Sequence, residues 1–264
     1  MQDELAATID IAIEAAELVL SYFGSDRIDI RAKGVGDVVT AADTASEALI
    51  LKRLREAFPD DGVVGEEGAN TQGTSNRTWY VDPLDGTLNF SRNLPIWCVS
   101  MALYEGDRPL LAVIRDPITR ETFAAGHGIG SYCNDRRMWC SQVESASDSV
   151  VHITVELNDL GASTGLDDIV VMAPRVLRTR NIGSAALALA YVAAGRFDAM
   201  VHRFAYSWDY GAGVLLVQEA GGVVTDTRGE AYTPRTHDVC AAARGSLHTE
   251  FLSMQNESAS PYAS

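Results

Sequence analysis

The sequence is poor in cysteine and contains no long uninterrupted apolar run. Its 264 residues include four cysteines, Cys98, Cys133, Cys140 and Cys240, and no two of them form a CxxC pair. So few cysteines argue against a disulfide scaffold, and five scattered histidines without an HExxH pattern argue against a zinc site. No stretch of about 18 apolar residues is present, so we expect no membrane-spanning helix.

The sequence also contains fewer basic than acidic residues. Lys and Arg number 21 against 36 Asp and Glu, which gives a formal net charge of −15. Nucleic acids and anionic membranes are bound by clustered Lys and Arg, so we expect neither as a partner. The apolar share of 47% and charged share of 22% are those of an ordinary globular protein. The excess carboxylates either keep the protein dissolved or, in part, form a cation site.

The N-terminal stretch does not resemble a secretory signal. It begins MQDEL and carries Asp10, Glu14 and Glu17 within its apolar run. A secretory signal begins basic and stays uncharged through its apolar core. We therefore expect a cytoplasmic protein.

The pattern of elements changes near residue 140. Two amphipathic helices, over residues 5–20 and 45–58, precede strand-like runs that include a hairpin around Gly106. Strands and helices then alternate, with a buried helix predicted over 183–194 and an ambiguous run at 167–172. We predict an α+β subdomain over residues 1–140, which carries the metal-binding motifs, and an α/β subdomain over 141–264 that completes the active site.

Three acidic stretches stand out from this background. They are Gly65-Glu66-Glu67-Gly68, the segment WYVDPLDGTLNF over residues 79–90, and Trp208-Asp209 at a predicted helix start. In the second, we expect a strand to end at Asp82 and the chain to turn at Pro83. Asp82, Asp85 and the Leu84 carbonyl then offer the hard oxygen ligands that Mg²⁺ accepts.

Each stretch has an ordinary structural explanation when it is taken alone. Asp-Pro and Asp-Gly are common in capped turns, Glu66-Glu67 suits a solvated acidic turn, and Asp209 suits a helix N-cap. The backbone N–H groups of Gly86 and Thr87 could equally seat a phosphate at a helix start. Only the conjunction of the three stretches favours a metal-dependent site.

The conjunction resembles the inositol monophosphatase family of Mg²⁺-dependent, lithium-sensitive phosphatases. That family has a Gly-Glu-Glu loop, then Trp-x-x-Asp-Pro-x-Asp-Gly-Thr-x-Asn-Phe, then Trp-Asp, and a Lys ahead of Asp-x-Val-Thr-x-x-Asp, here Lys33 and residues 37–43. The resemblance covers residues 5 to 250. It implies the layered αβαβα sandwich of the inositol monophosphatase and fructose-1,6-bisphosphatase type, a mixture of α+β and α/β halves.

The resemblance also implies two or three Mg²⁺ ions. Glu67, Asp82 and the Leu84 carbonyl would hold the first, and Asp82, Asp85 and Asp209 the second. A third, weaker ion would sit on Glu67.

The implied chemistry is hydrolysis by direct attack of a metal-activated water. Thr87 and Glu67 would orient this water, with Asp43 behind Thr87 as a relay. The positions implied to contact substrate are Lys33, Asp85, Gly86, Thr87, Ser184, Ala185, His202, Arg203 and Asp209.

One substrate position departs from the family pattern. The inositol enzymes carry a Glu seven residues before the Trp-Asp aspartate, and here that position is His202, followed by Arg203. A carboxylate that would accept hydrogen bonds from sugar hydroxyls is therefore missing. His202 and Arg203 could instead favour a substrate with a second anionic group.

The sequence therefore predicts a phosphomonoesterase for a small sugar or cyclitol phosphate. Alternatives are the same chemistry on histidinol phosphate, fructose 1,6-bisphosphate, a nucleotide 3′-phosphate or a biosynthetic sugar phosphate. An alternative of another class is a non-catalytic regulatory scaffold. The resemblance further implies a homodimer.

Overall fold

A computed structural model describes residues 1–25, 30–34, 37–157 and 163–258 of the chain. In this part of the chain the helices are α1 (Gln2–Leu20), α2 (Ala41–Ala57), α3 (Thr87–Ser91), α4 (Leu166–Met172), α5 (Ala185–Ala193), α6 (Ser207–Glu219) and α7 (Gly245–Ser258), with 3₁₀ turns at Ala146–Asp148 and Ala173–Arg175. The strands are β1 (Ile30–Gly34), β2 (Asp37–Thr40), β3 (Gly62–Gly65), β4 (Asn70–Thr71), β5 (Arg77–Asp85), β6 (Cys98–Glu105), β7 (Arg108–Asp116), β8 (Glu121–Gly126), β9 (Gly130–Cys133), β10 (Arg136–Arg137), β11 (Val150–Ile153), β12 (Glu156–Leu157), β13 (Ser163–Thr164), β14 (Arg178–Arg180), β15 (Ala199–His202), β16 (Val223–Thr225) and β17 (Val239–Ala242).

The elements stack in five alternating layers. Helices α1 and α2 cover one face of an eight-stranded sheet of order β10-β9-β8-β7-β6-β5-β3-β4. Helices α5 and α6 cover its other face and also contact a five-stranded sheet of order β14-β11-β15-β17-β16. Helices α4 and α7 pack together, and α7 contacts β17 of that second sheet. The predicted αβαβα sandwich is confirmed.

Helices α5 and α6 lie in the middle layer because their sequences are apolar on nearly every face. In α5 only Tyr191 is less than fully buried, and α6 is buried from Tyr210 to Val217. Helices without a polar face require protein on both sides, and the two sheets supply it. The largest apolar cluster therefore draws residues from both predicted subdomains, from Cys98 on β6 to Ala243 after β17.

The predicted boundary at residue 140 falls between the last strand of the first sheet and the first strand of the second. The division into two subdomains stays a proposal, because the α5 and α6 layer serves both sheets. The ambiguous run at 167–172 is helical, as α4. In the described part of the chain, no helix combines the length and apolar character needed to cross a bilayer.

The expectation that the chain turns at Pro83 is wrong. Strand β5 continues to Asp85, with Asp82 opposite Ser100 and Asp85 opposite Cys98. Three steps along β5 therefore match two steps along β6, which is a β-bulge. The Ser46 hydroxyl of α2 donates to the Pro83 carbonyl over 3.0 Å, so the bulged backbone is held from the helix layer.

The bulge decides where the two carboxylates point. Side chains alternate between the faces of a regular strand, so residues three apart lie on opposite faces. One extra residue reverses that alternation. Asp82 and Asp85 consequently face the same side of the sheet.

Candidate metal and active site

Three carboxylates meet at the end of β5. Asp82, Asp85 and Asp209 each offer one oxygen, and these oxygens lie within 4.8 Å of one another. Asp82 and Asp85 are buried, and Asp209 is half-buried. The structure thus brings Asp209 to Asp82 and Asp85, which lie about 125 positions earlier in the chain.

The electrostatics of this cluster call for a cation. Burial raises the pKa of Asp82 well above its usual range, and the charges of Glu66, Asp85 and Asp209 raise it further. Burial also raises the pKa of Asp85, although hydrogen bonds from its neighbours oppose that shift. Carboxylates held together in this way repel unless they are protonated or share a metal ion. An all-oxygen donor set fits Mg²⁺.

Asp85 is fixed by the start of α5. Its Oδ2 accepts from the Ser184 hydroxyl and from the Ala186 N–H at 2.9 Å, and its Oδ1 accepts from the Ala185 N–H at 3.2 Å. The Cys98 thiol lies 3.6 Å from Oδ2. Two of the predicted substrate residues, Ser184 and Ala185, therefore contact a predicted metal ligand. The positive end of the α5 dipole also favours a carboxylate here.

Asp209 occupies the first turn of α6. Its Oδ2 accepts from the Tyr206 N–H at 2.6 Å, which caps the helix start. The Ser100 hydroxyl donates to the Trp208 carbonyl over 3.3 Å, and Ser100 is the partner of Asp82 in the sheet. This contact ties the start of α6 to the strand pair that carries Asp82.

Glu66 also reaches the cluster, and the sequence prediction had passed over it in favour of Glu67. The Glu66 carboxylate hydrogen-bonds with Asp82 and contributes to the raised pKa of both Asp82 and Asp43. Strand β3 runs parallel to β5 with Gly65 beside Val81, and the Glu66 N–H donates to the Val81 carbonyl. Glu66 is therefore the first residue after β3, next to Asp82.

A sequence signal could have distinguished the two glutamates. The carboxyl ends of neighbouring parallel strands lie at one edge of a sheet, so the first acidic residue after each strand is the better candidate. Glu67 is held differently, since its N–H donates to Glu47 Oε1 over 3.0 Å. Glu47 approaches so closely that a Cβ on Gly65 would lie 2.3 Å from its carboxylate.

Asp43 lies within hydrogen-bonding distance of Thr87, in the position behind it that the resemblance implied. The Thr87 hydroxyl lies 3.1 Å from Asp43 Oδ1 and 2.9 Å from the Leu84 carbonyl oxygen. Asp43 Oδ2 accepts from the N–H and hydroxyl of Thr40 at the start of α2. Burial raises the pKa of Asp43.

Gly86 and Asn89 have specific structural roles within the WYVDPLDGTLNF segment. Gly86 has a φ of +94°, and a Cβ there would lie 2.9 Å from the Ile96 carbonyl oxygen. Asn89 Nδ2 donates to the carbonyls of Ile96 and Ile182 at 2.9 and 2.8 Å. Asn89, on α3, therefore connects the segment after β5 to the loop before α5.

Arg203 takes part in an ion pair within the protein. Its guanidinium forms a bidentate pair with Asp168, with both nitrogen–oxygen distances at 2.6 Å. The Asp168 carboxylate is only 1% exposed, so it requires this partner. The pair joins the residue after β15 to α4, and the contact of Arg203 with substrate stays a prediction.

The structure bears differently on His202 and Lys33, two residues that were predicted to contact substrate. His202 ends β15 and is 4% exposed, with its ring 5.5 Å from the Tyr210 ring in an edge-to-face contact. Its contact with substrate stays a prediction. The backbone of Lys33 lies in β1, and its side chain is outside the described residues.

Comparison with known proteins identifies the family. The model of the inositol monophosphatase family matches residues 1–260. The chain is 37% identical to an inositol-1-monophosphatase of Rhizobium meliloti, over 85% of this chain and 86% of that protein. It is 36% identical to the Nus factor SuhB of Xylella fastidiosa, over 87% of this chain and 84% of that protein.

The solved structures agree with the sequence comparison. The extragenic suppressor protein suhB of Bartonella henselae superposes with a TM-score of 0.92, at 32% identity over 97% of this chain and 99% of that one. The fold and the family match over residues 1–260 together identify the family of this chain. This chain belongs to the inositol monophosphatase family.

Proposed function

We propose that the chain is a Mg²⁺-dependent phosphomonoesterase that hydrolyses a small sugar or cyclitol phosphate by direct attack of water. The proposal rests on the cluster of Asp82, Asp85 and Asp209. Phosphate esters are anions that bare carboxylates would repel, so metal ions bound by the cluster would be needed to attract the ester. Asp82, Asp85 and Asp209 would hold one ion, and Asp82, the Leu84 carbonyl and Glu66 a second. Bound Mg²⁺ reverses the local charge and makes water a better nucleophile at neutral pH.

Glu66 takes the place of Glu67 in this proposal. Its carboxylate hydrogen-bonds with Asp82, and it directly follows β3, the strand parallel to β5. The number of ions, two or three, stays a prediction.

The chain's own groups position the water and the phosphate. The Thr87 hydroxyl can donate its proton to Asp43 Oδ1, which leaves oxygen lone pairs to accept a hydrogen bond from water. The raised pKa of Asp43 makes Oδ1 a better acceptor when the water gives up its proton through Thr87. The first N–H groups of a helix lack carbonyl partners within it, so Gly86 and Thr87 can donate to phosphate oxygens.

Phosphate release with and without Mg²⁺ tests the proposal. Wild type should release phosphate from at least one small ester only when Mg²⁺ is present. Asp85→Asn should lower kcat/KM by roughly 100-fold or more, because it removes a charged ligand from the reacting centre. Activity that persists in Asp85→Asn would refute the mechanism.

The same assay compares the two glutamates as a matched pair. Glu66→Gln should raise the Mg²⁺ concentration needed for half-maximal activity by about tenfold or more, and Glu67→Gln should change it far less. The reverse order would restore Glu67 as the ligand.

A second candidate function follows from one comparison. A relative at 36% identity is named as a Nus factor, which favours a regulatory role for some members of the family. A regulatory protein without catalysis would have no need to keep the buried Asp82, Asp85 and Asp209 together, so we rank this candidate second. Lack of phosphate release from every ester tested would favour it.

The homodimer and the cytoplasmic location are proposals that rest on the family resemblance and the sequence composition. Analytical ultracentrifugation of the purified chain tests the first. A small phosphorylated substrate is the partner that the proposed site requires, and nucleic acid and membrane are not expected.

A further inference from the structure

An exposed patch of four rings lies beside Asp209. It consists of Phe204, Tyr206, Trp208 and His237, and we call it the aromatic patch. Tyr206 stacks on Trp208 with ring centroids 4.7 Å apart, and Phe204 stacks on His237 at 5.9 Å. Phe204 also lies 5.6 Å from Tyr206 in an edge-to-face contact. The rings therefore form one continuous surface.

The patch is exposed although its residues are large. Phe204 is 39% exposed and Tyr206 is 38% exposed. Rings of this size bury readily in a protein core, and a cluster of them at the surface marks a binding surface more often than a single exposed ring does.

The loop that carries the patch is fixed before any ligand binds. The Ala205 N–H donates to the His237 carbonyl over 2.8 Å, and His237 Nδ1 lies 3.2 Å from the Ala205 carbonyl oxygen. On the strand side, the Arg203 pair with Asp168 anchors the preceding residue. A surface held in this way loses little conformational entropy on binding.

The patch is continuous with the proposed catalytic site. The backbone N–H of Tyr206 donates to Asp209 Oδ2 over 2.6 Å, and Trp208, on which the Tyr206 ring stacks, directly precedes Asp209 in the chain. A phosphate ester bound at the carboxylate cluster would present its leaving group close to these rings. The patch offers ring faces rather than a row of hydrogen-bonding groups, which suits a flat ring better than a sugar. In addition, His202 lies at the position where the family pattern has a carboxylate that accepts from sugar hydroxyls.

We propose that the aromatic patch is a subsite for a planar heteroaromatic ring on the leaving group of the phosphate ester. This rests on the phosphomonoesterase chemistry of the proposed function, and it replaces a plain sugar or cyclitol by a leaving group that carries such a ring. Stacking on Tyr206 and Phe204 supplies the affinity, and the carboxylate cluster with its metal ions takes the phosphate.

Two pairs of esters test the subsite, each with and without a ring. Adenosine 5′-monophosphate is compared with ribose 5-phosphate, and histidinol phosphate with phosphoethanolamine. We expect wild type to prefer the ring-bearing ester by about tenfold in kcat/KM in at least one pair, and which pair shows this distinguishes a purine from an imidazole.

Variants assign the preference to the patch. Tyr206→Leu and Phe204→Leu keep apolar bulk but lose the ring, and each should lower the ratio of ring-bearing to ringless kcat/KM about tenfold. Tyr206→Phe keeps a ring and should retain the ratio. Trp139→Leu is the matched control outside the patch, since Trp139 is 58% exposed and covered by Arg137 instead.

Calorimetric binding of the same esters separates the two proposals. Binding that depends on the ring, without phosphate release, would overturn the proposed function and support the subsite. Phosphate release without any ring preference would overturn the subsite alone. A ratio that Tyr206→Leu leaves intact, or that Trp139→Leu lowers equally, would also overturn it.

Discussion

Asp82 lies in electrostatically unfavourable surroundings. It is 1% exposed, and the neighbouring charges that act on it, from Glu66, Asp85 and Asp209, are negative. A carboxyl whose pKa is raised in the folded state lowers stability as the pH rises above its ordinary pKa, and the full cost is present above the raised pKa. Without metal ions, the charge of Asp82 therefore opposes folding at neutral pH.

Asp82→Asn should separate stability from metal binding. In metal-free buffer at pH 7 the variant should melt roughly 2–4 °C above wild type, the shift that about 1 kcal/mol produces in a chain of this size. The gain should shrink as the pH falls towards the range where Asp82 is protonated. Added Mg²⁺ should raise the Tm of wild type and leave that of the variant almost unchanged, as calorimetry would show.

The matched control is Asp135→Asn, at an exposed position on the β9–β10 turn. It should change neither the Tm nor the response to Mg²⁺. A metal-free Asp82→Asn protein that is less stable than wild type would contradict the account of repulsion.

At the scale of elements, the site depends on how β5 passes into α3. The bulge turns Asp82 and Asp85 to one face, and Gly86 then starts α3 in a left-handed conformation. An L side chain is disfavoured at this φ, and here a Cβ would also press against the Ile96 carbonyl oxygen. Two separate restrictions thus select glycine at one position.

Gly86→Ala should therefore lower the free energy of unfolding by more than the same substitution at another left-handed glycine does. Gly106→Ala, in the β6–β7 hairpin with φ +59° and open space around it, should cost about 1–2 kcal/mol for the backbone alone. Gly86→Ala should cost more and should also reduce phosphate release. Denaturant unfolding and the phosphate assay measure the two effects, and equal costs for the two variants would show that the contact with Ile96 does not matter.

At the scale of the whole molecule, the α5 and α6 layer joins the two sheets. The Glu219 carboxylate at the end of α6 accepts from the N–H groups of Gly128 and Gly130 at 2.8 and 2.9 Å, in the turn between β8 and β9. The Tyr104 hydroxyl of β6 donates to the Gly211 carbonyl of α6 over 3.0 Å. Residues 1–140 alone would expose the face of the first sheet that these helices cover.

The intact chain should unfold in one cooperative transition, and neither fragment should do so. Fragments 1–140 and 141–264 should each lack a sharp thermal transition and bind a hydrophobic dye, because each leaves an apolar face uncovered. Circular dichroism and calorimetry of the intact chain should give coincident midpoints. A fragment that melts cooperatively would show that the two subdomains fold independently.

Much of the site could be predicted from the chain because its ligands lie in short motifs. Asp82, Leu84 and Asp85 are close in sequence, and apolar runs predicted β5, α5 and α6. The position of Glu66 beside Asp82 could not be predicted, because it depends on the register of β3 against β5. The ion pair of Arg203 could not be predicted either, because its partner, Asp168, lies 35 residues away on an element whose type was ambiguous.

The sequence by itself determined the family, the alternation of layers and the type of site, since these depend on local periodicity and on clustered motif residues. Only the tertiary structure decided which oxygens meet, because a one-residue bulge reverses the facing of Asp85 and strand register selects Glu66. It likewise decided that the rings around Tyr206 form a surface, since Phe204 and His237 meet across 33 positions of the chain. The net charge of −15 left open whether the excess carboxylates only keep the protein dissolved or in part form a cation site. The geometry concentrates a few of them into a cluster that metal ions can make receptive to phosphate.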